Sequence, residues 1–270
     1  MVLEKIYAVR HGFRLNWVTI DWKSETGLPR DPPLAAYGVT QAQELAVQFL
    51  SLPREDRPTA IFSSPYYRCL QTAKPIANAL QIPLYVEHGI SEWYSRVAPG
   101  TGLHPRPGSA SSLKQYFPEI DTAWDSIYYS SRQGEDVDAV HERAKSFLSA
   151  FIPHVESTLP QEQHSRVMLM SHAATVIVLA RALVGDRQLP LRVGCCTVSE
   201  FVRDNGGGIL GTWKAVRLAD GSLLSGGSSR DWGFEDVQIA HGKAIDDSGI
   251  SGVEADPDEL VGLQIQASKM

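Results

Sequence analysis

Cysteine, long apolar runs and an excess of basic residues are all scarce or missing in this 270-residue sequence. Its three cysteines, Cys69, Cys195 and Cys196, are too few for a disulfide framework and fit a reducing compartment. No apolar run reaches the roughly 18 residues of a membrane span, and the first residues lack the layout of a signal peptide. We therefore expect a cytoplasmic or nuclear protein with no membrane partner.

The charge balance argues against another class of protein. The chain carries 31 acidic and 25 basic residues, for a net charge of −6. Nonspecific nucleic-acid binding needs a basic face, so we expect no direct contact with nucleic acid. The balance also means that a pocket for an anion has to concentrate positive charge locally. The length and the 43% hydrophobic content are enough for one α/β domain with a substantial core.

The sequence also lacks the motifs that two classes of phosphatase need. A cysteine phosphatase needs Cys-x5-Arg, and none of the three cysteines has an arginine six places later. An aspartyl phosphatase needs an Asp pair just past a strand, whereas Asp256 and Asp258 lie near the C-terminus. Metal-ligand spacing such as H-E-x-x-H is also missing, so we expect neither a metal nor a cofactor.

What is present is a set of four strand ends that carry polar residues. An apolar run ends in Arg10-His11-Gly12, where a neutral imidazole can attack phosphorus and a guanidinium can bind phosphate oxygens. The second stretch, Ile61–Ala73, is predicted as strand, turn and helix. Arg68 lies in the first turn of that helix, where free N–H groups and the helix dipole favour an anion.

The other two strand ends supply a carboxylate and a second imidazole. Glu92 follows a short strand near Leu84–Val86, and Glu87 is a neighbouring acid that leaves the choice between them open. The strand Arg166–Met170 ends in Ser171-His172, which opens a helix. The carboxyl ends of the strands in an open α/β sheet meet at one edge, so we expect these groups to converge.

Taken in order, R-H-G, S-S-P-x-x-R-x-x-x-T-A, a strand-end Glu and S-H-A-A-T resemble the histidine phosphatase superfamily, which has the phosphoglycerate mutase-like fold. R-H-G-F-R-x-N resembles the pattern of the metazoan Sts phosphatases. S-E-W-Y and W-G-F are similar to the fungal relatives of the 55-kDa subunit of transcription factor TFIIIC. Phe13 replaces the family's Glu, Asn16 stands where Sts-like proteins have Asp, and Trp17 stands where mutases have Asn.

The resemblance implies a metal-independent phosphatase that acts through a phosphohistidine on His11. It implies that Glu92, in its protonated form, donates to the leaving group and then activates water. It also implies a phosphate pocket with His172 as a cation, and the phosphate-binding residues are Arg10, Arg14, Asn16, Arg68, His172 and Ala173. A phosphopeptide or a small phosphomonoester is the expected substrate.

Two alternatives remain open at this stage. One is a phosphoglycerate mutase, which the shifted Asn and an aromatic insertion argue against. The other is an assembly subunit or phosphopeptide-binding module, as the resemblance to the TFIIIC subunit allows. A homodimer and a transcription-complex partner both stay open.

The expected fold is a three-layer α/β sandwich: a mostly parallel sheet, helices on both faces, an inserted lid and a C-terminal hairpin. We predict a domain over residues 1–245, a lid over 98–133 and a weakly ordered tail over 246–270. Helices are predicted over Val39–Ser51, Tyr66–Leu80, Gly134–Glu156 and Ala173–Val184. Gly206–Gly211 matches G-x-G-x-x-G, but the alternating stretch that follows predicts a hairpin turn instead of a dinucleotide site.

Overall fold

The computed structural model describes residues 2–204, 208–240 and 243–265. Its strands are β1 (Lys5–Arg10), β2 (Ala60–Ser63), β3 (Leu84–Val86), β4 (Tyr128–Tyr129), β5 (Arg166–Ser171), β6 (Val198–Arg203), β7 (Trp213–Asp220), β8 (Ile239–Ala240), β9 (Lys243–Ala244) and β10 (Gly262–Leu263). Its α-helices are α1 (Ala36–Ser51), α2 (Tyr67–Leu80), α3 (Ala110–Leu113), α4 (Val137–Thr158), α5 (Gln161–His164) and α6 (Ala173–Val184). Among these residues no helix is both long and apolar enough to cross a membrane.

A six-stranded sheet in the order β3-β2-β5-β1-β6-β7 forms the centre of the molecule. The first four strands in that order are parallel, while β6 runs antiparallel to β1 and β7 antiparallel to β6. Strands buried on both faces are expected to be continuously apolar, which is how β1 and β5 read in the sequence. The predicted α/β fold with a mostly parallel sheet is confirmed.

Helices cover the sheet on both faces, because alternate side chains of each strand point to opposite sides. On one face Val9 and Ile61 pack with residues of α1 and α2, such as Phe49. On the other face Phe62 packs with residues of α4 and α6, such as Phe151. Full burial of a large apolar side chain contributes about 1.5–3 kcal/mol, so these two layers supply most of the stabilisation.

Helix α4 begins three residues later than predicted. Asp136 precedes it in extended conformation, and its side chain accepts a hydrogen bond from the Ala139 N–H at 2.8 Å. Gly134 has a φ of +77°, so the chain turns before it enters the helix. A carboxylate that satisfies a free N–H group is a better helix start than the glycine that the sequence analysis chose.

The predicted insertion packs against the core and against the C-terminal segment. Phe117 and Trp124 are buried, and Trp124 meets Phe62 edge to face at 4.8 Å between ring centroids. Strand β10 pairs with β4, and Arg106 forms an ion pair with Glu259 at 3.0 Å. The boundaries 1–245, 98–133 and 246–270 stay predictions, and residues 266–270 lie outside the described part of the chain.

Strands β6 and β7 form the predicted C-terminal hairpin. They pair antiparallel at the edge of the sheet, and no helix follows the glycine-rich connection. Residues 206 and 207 of that connection lie outside the described residues. A dinucleotide fingerprint has to open a helix, and the strand β7 stands in its place.

Candidate active site

The four motif segments converge because they follow four neighbouring parallel strands. Arg10 at the end of β1 is in register with Ser171 at the end of β5. Ser63 at the end of β2 is in register with Met170 on one side and Val86 on the other. Each strand therefore releases its loop at the same edge of the sheet, as open α/β sheets do at their ligand sites.

His11 is fully buried in the turn after β1, and its tautomer is set by the backbone. Its Nδ1 lies 2.8 Å from the Gly12 carbonyl oxygen, which can only accept, so Nδ1 carries the proton. The lone pair is then on Nε2. Burial and the charges of Arg68, His172, Arg10 and Arg14 all lower the pKa of His11 well below its ordinary value. A neutral imidazole with a free Nε2 is the form that can act as a nucleophile.

Gly12 is needed at this turn because the chain approaches α1 closely. A Cβ at this position would lie 2.8 Å from the carbonyl oxygen of Gly38. The Gly12 N–H instead donates to Thr72 Oγ1 at 3.0 Å. Thr72 also donates to the Arg68 carbonyl oxygen, so it links the turn after β1 to helix α2.

Arg10 is anchored by one end of its guanidinium. Its Nη1 donates to the carbonyl oxygens of Val193 and Arg230, each at 2.6 Å. Its Nε is buried and has no hydrogen-bond partner among the described residues. The anchored Nη1 fixes the group, and the edge that includes Nε stays available for an oxyanion.

Arg68 is held by two carboxylates. Its Nη1 donates to Asp31 at 3.1 Å and its Nη2 to Glu92 at 3.1 Å, while its Nε is buried without a partner. Asp31 also accepts from the Tyr67 N–H at 2.9 Å, which caps the start of α2. Burial raises the pKa of Asp31, and the charge of Arg68 opposes that rise. Asp31 was not among the site residues predicted from the sequence.

Glu92 and His172 lie side by side, with Oε2 and Nδ1 3.3 Å apart. Burial alone would raise the pKa of Glu92, but the charge and hydrogen bond of His172 and the charge of Arg68 outweigh it and hold this pKa below its ordinary value. Burial lowers the pKa of His172 to about 4, against the attraction of Glu92 and with the repulsion of Arg68. In the absence of substrate these shifts favour an ionised Glu92 and a neutral His172.

These protonation states differ from the sequence prediction of a protonated Glu92 and a cationic His172. The physical reason is burial next to Arg68: a second buried cation is costly there, whereas a carboxylate is stabilised. A phosphate dianion in the pocket would raise the pKa of both groups, because it would add negative charge beside them.

The rival acid, Glu87, points away from this cluster. Its carboxylate accepts hydrogen bonds from the N–H groups of Trp124, Ile127 and Gly89 at 2.8–3.1 Å. It therefore fastens the insertion to the end of β3. Burial raises the pKa of Glu87 to about 7, although each of these hydrogen bonds acts in the opposite direction. Its geometry leaves Glu92 as the acid that faces His11.

The remaining predicted residues also lie at the cavity. Arg14, Asn16 and Ala173 line it, and Ala173 begins α6, where the first N–H groups have no intrahelical partner. Burial lowers the pKa of Arg14 to about 10, with the charge of Arg68 acting in the same direction. The Nε of Arg14 and the Oδ1 of Asn16 are both buried without a partner among the described residues.

A cavity of about 640 Å³ extends outward from His11. Its outer walls include aromatic side chains that the sequence analysis did not assign to the site, namely Trp22, Trp93, Tyr94 and Trp232. Arg30 also lines it and forms an ion pair with Asp247 at 2.8 Å. The loop 18–34 and the C-terminal segment therefore border the cavity, while no residue of 98–133 lines it.

One group of side chains has the geometry of a metal site. Ligand atoms of His11, Glu92 and His172 all lie within 4.8 Å of one another. Three guanidinium groups, those of Arg10, Arg14 and Arg68, share the same pocket or border it directly. Their positive charge disfavours a cation and favours an oxyanion.

The profile of the histidine phosphatase superfamily (branch 1) matches residues 6–216, and the chain belongs to this superfamily. It is 40% identical over 213 residues to the transcription factor tau 55 kDa subunit of Saccharomyces cerevisiae, a match that covers 74% of this chain and 48% of that protein. It is also 31% identical over 179 residues to the human ubiquitin-associated and SH3 domain-containing protein A, covering 64% of this chain and 25% of that protein. The chain thus spans half or less of these relatives.

Solved structures share the fold at low sequence identity. The ecdysone phosphate phosphatase of Bombix mori, in complex with tungstate, has a TM-score of 0.60 and 18% identity, covering 80% of this chain and 93% of that one. Bacillus stearothermophilus YhfR has a TM-score of 0.53 and 20% identity, covering 81% and 98%. These likenesses show the phosphoglycerate mutase-like fold.

Proposed function

We propose that this chain is a metal-independent phosphatase that hydrolyses phosphomonoesters through a phosphohistidine on His11. One observation carries the proposal: the buried, neutral His11 shares its pocket with three guanidinium groups whose Nε donors are buried without partners. Buried polar groups without partners are costly, and a phosphate group would satisfy these donors. Membership of the superfamily supports the same reaction class.

In the proposed reaction, Nε2 of His11 attacks phosphorus and the bond to the leaving oxygen breaks. Glu92 delivers a proton to that oxygen, and its carboxylate lies within 4.8 Å of a His11 nitrogen, close to the reacting group. Water then attacks the phosphohistidine while Glu92 takes a proton, and inorganic phosphate leaves. Arg10, Arg68, Arg14 and His172 hold the non-bridging oxygens.

The resting state of Glu92 adds one requirement to this sequence of steps. The carboxyl is ionised in the free protein, so it needs a proton before it can act as an acid. Substrate phosphate competes for Arg68 and adds negative charge, and both effects raise the pKa of Glu92. Glu92 therefore takes up a proton from solvent when the substrate binds, or the substrate binds as its monoanion and brings the proton with it.

The test is hydrolysis of p-nitrophenyl phosphate and phosphotyrosine peptides between about pH 4 and 8, a range set by the ordinary pKa values of His and carboxyl groups. We expect turnover in the wild type, loss of activity in His11→Ala, and a phosphohistidine that survives an alkaline quench. His154→Ala on α4, outside the cavity, is the matched control. No turnover of sugar phosphates, nucleotides or phosphopeptides would rule the proposal out.

A second role is favoured by the similarity to the yeast tau 55 kDa subunit. We propose that the chain also acts as an assembly subunit of a transcription factor, which would place it in the nucleus. This role does not need the imidazole of His11. His11→Ala is therefore expected to co-purify with the remaining subunits as the wild type does, and failure of the wild type to do so would contradict it.

A phosphoglycerate mutase is the weaker candidate. It would have to retain the phosphohistidine until a second phosphoglycerate binds. The outer cavity is walled by side chains such as Trp22, Trp93 and Trp232, which do not match a small, highly charged substrate. Interconversion of 2- and 3-phosphoglycerate by the purified protein would revive this reading.

A further inference from the structure

Arg14 poses a physical problem that Arg10 and Arg68 do not. Those two are anchored by carbonyl or carboxylate oxygens. The Arg14 side chain makes no hydrogen bond or ion pair with any described residue, and its Nε is buried. A long side chain loses about 1.5–2 kcal/mol of conformational freedom when it is fixed, so something else has to hold it.

The contact that holds it is the indole ring of Trp17. The Arg14 guanidinium carbon lies 4.2 Å from the ring centroid. The guanidinium carbons of Arg230 and Arg10 lie 5.2 and 5.7 Å from the same ring. The negative face of an indole attracts cations at these distances and offsets part of the repulsion among them. Phe13 supports the ring edge to face at 5.0 Å.

A stacked guanidinium differs from an ion-paired one in a way that matters for phosphate. A carboxylate partner occupies the in-plane N–H donors, as Asp31 and Glu92 do for Arg68. An aromatic face holds the group through its π surface and leaves those donors free. A phosphate pocket needs cations that are fixed in place and still have donors to offer.

We propose that Trp17 is a positioning residue of the phosphate pocket, which holds Arg14 by stacking so that its donors face the bound oxyanion. The inference rests on the proposed function in assuming that the pocket takes a phosphate group. Trp17 does not line the cavity, so it acts through the guanidinium groups on its ring, of which Arg14 is the nearest. Trp17 lies in the short 3-10 helix Leu15–Trp17, three residues after Arg14.

The test measures tungstate binding by calorimetry at neutral pH, which needs no turnover. Trp17→Leu removes the π face, and we expect about 3- to 30-fold weaker binding, the range that a cation–π contact implies. Trp17→Phe keeps a smaller aromatic face, so its affinity for tungstate is expected to lie between those of the wild type and Trp17→Leu. Trp213→Leu is the matched control. The indole ring of Trp213, on the edge strand β7, lies 5.7 Å from the guanidinium carbon of Arg203 and so makes a cation–π contact of the same kind.

A double-mutant cycle with Arg14→Ala separates stacking from general packing. If Trp17 acts through Arg14, then Trp17→Leu costs little further affinity once Arg14 is gone, since the two changes remove one interaction. A full additional loss in the Arg14→Ala background would overturn the proposal. So would wild-type affinity in a folded Trp17→Leu, or an equal loss in Trp213→Leu. If Trp17→Leu does not fold, the cycle is run with Trp17→Phe.

Failure of the proposed function gives a different result. In that case the wild type binds tungstate but turns over no phosphomonoester. The ranking of tungstate affinities among the wild type and the Trp17 variants then still tests the positioning role. A wild type that does not bind tungstate overturns the positioning role together with the phosphate pocket.

Discussion

At the scale of single residues, the pocket combines cations that are fixed in three different ways. Arg10 is held by backbone carbonyl oxygens, Arg68 by carboxylates and Arg14 by an aromatic ring. Each arrangement leaves the buried Nε without a partner. In the proposed reaction, preorganised donors of this kind need not reorient when charge develops on the phosphoryl group.

Asp31 is the first residue whose removal should be informative. Asp31→Ala leaves the buried Arg68 Nη1 and the Tyr67 N–H without their acceptor, and loss of one partner of a buried ion pair costs about 3–5 kcal/mol. We expect a lower melting temperature and a raised KM, because Arg68 loses one of the groups that fix it. Asp31→Asn keeps one acceptor and should lose less. The exposed Asp125→Asn is the control, and equal effects in all three would refute this role.

Glu92 is expected to matter most when the leaving group is poor. General acid catalysis contributes about 10²–10⁴ in rate, and an alkyl alkoxide needs the proton more than a nitrophenolate does. Glu92→Gln should therefore slow alkyl phosphates far more than p-nitrophenyl phosphate, as measured by kcat. Glu87→Gln, which lies outside the pocket, should spare both. An equal loss on both substrates in Glu92→Gln would argue against proton donation.

At the scale of elements, the site depends on where the strands end and on the hydrogen bonds that hold the residues after each strand. The end of β3 is tied to the insertion through Glu87, whose oxygens accept from Gly89, Trp124 and Ile127. Beyond this contact, residues 90–92 continue toward the pocket. Arg143 of α4 donates to the carbonyl oxygens of Gly89 and Ser91 and holds the same stretch.

Glu87 should give the stability a measurable pH dependence. Its pKa is about 7 in the folded protein and about 4.3 in an unfolded chain, so the folded state binds more protons between these values. The free energy of unfolding should fall by up to about 1.4 kcal/mol per pH unit as pH rises through this window, and level off above it. Chemical denaturation should show this slope in the wild type and its loss in Glu87→Gln. Equal slopes in the two proteins would refute the assignment.

At the scale of the whole molecule, one sheet serves both helical layers. Side chains of β1 reach both core clusters, with Ile6 on one side and Tyr7 on the other. The C-terminal segment returns to the start of the chain, where the carbonyl oxygen of Arg230 accepts from Arg10. That segment lies beyond residues 6–216, the part that the superfamily profile matches.

This arrangement predicts a single cooperative unfolding transition, in line with one domain over residues 1–245. Far-UV circular dichroism reports the helices, and tryptophan fluorescence reports positions from Trp17 to Trp232. We expect the two probes to give coincident midpoints in urea, as two-state domains do. Separate midpoints would show that the insertion or the C-terminal segment folds as an independent unit.

The sequence by itself determined the elements and most of the pocket. Apolar runs of strand length, each followed by a polar motif, predicted β1, β2 and β5 and the residues that follow them. The predicted bounds of α6 match the structure, because apolar periodicity and Gly185 mark both its length and its end. Such signals are local, so neighbouring residues suffice to read them.

Tertiary structure alone decided which distant groups share charge and hydrogen bonds. The hydrogen bonds of Arg68 with Asp31 and of Arg10 with the carbonyl oxygen of Arg230 join residues 37 and 220 positions apart. Trp232 likewise reaches the cavity from a distant part of the chain. The lowered pKa of His172 arises in the same way, from burial next to Arg68. No local pattern encodes these contacts, because they exist only once the strands have placed their loops at one edge of the sheet.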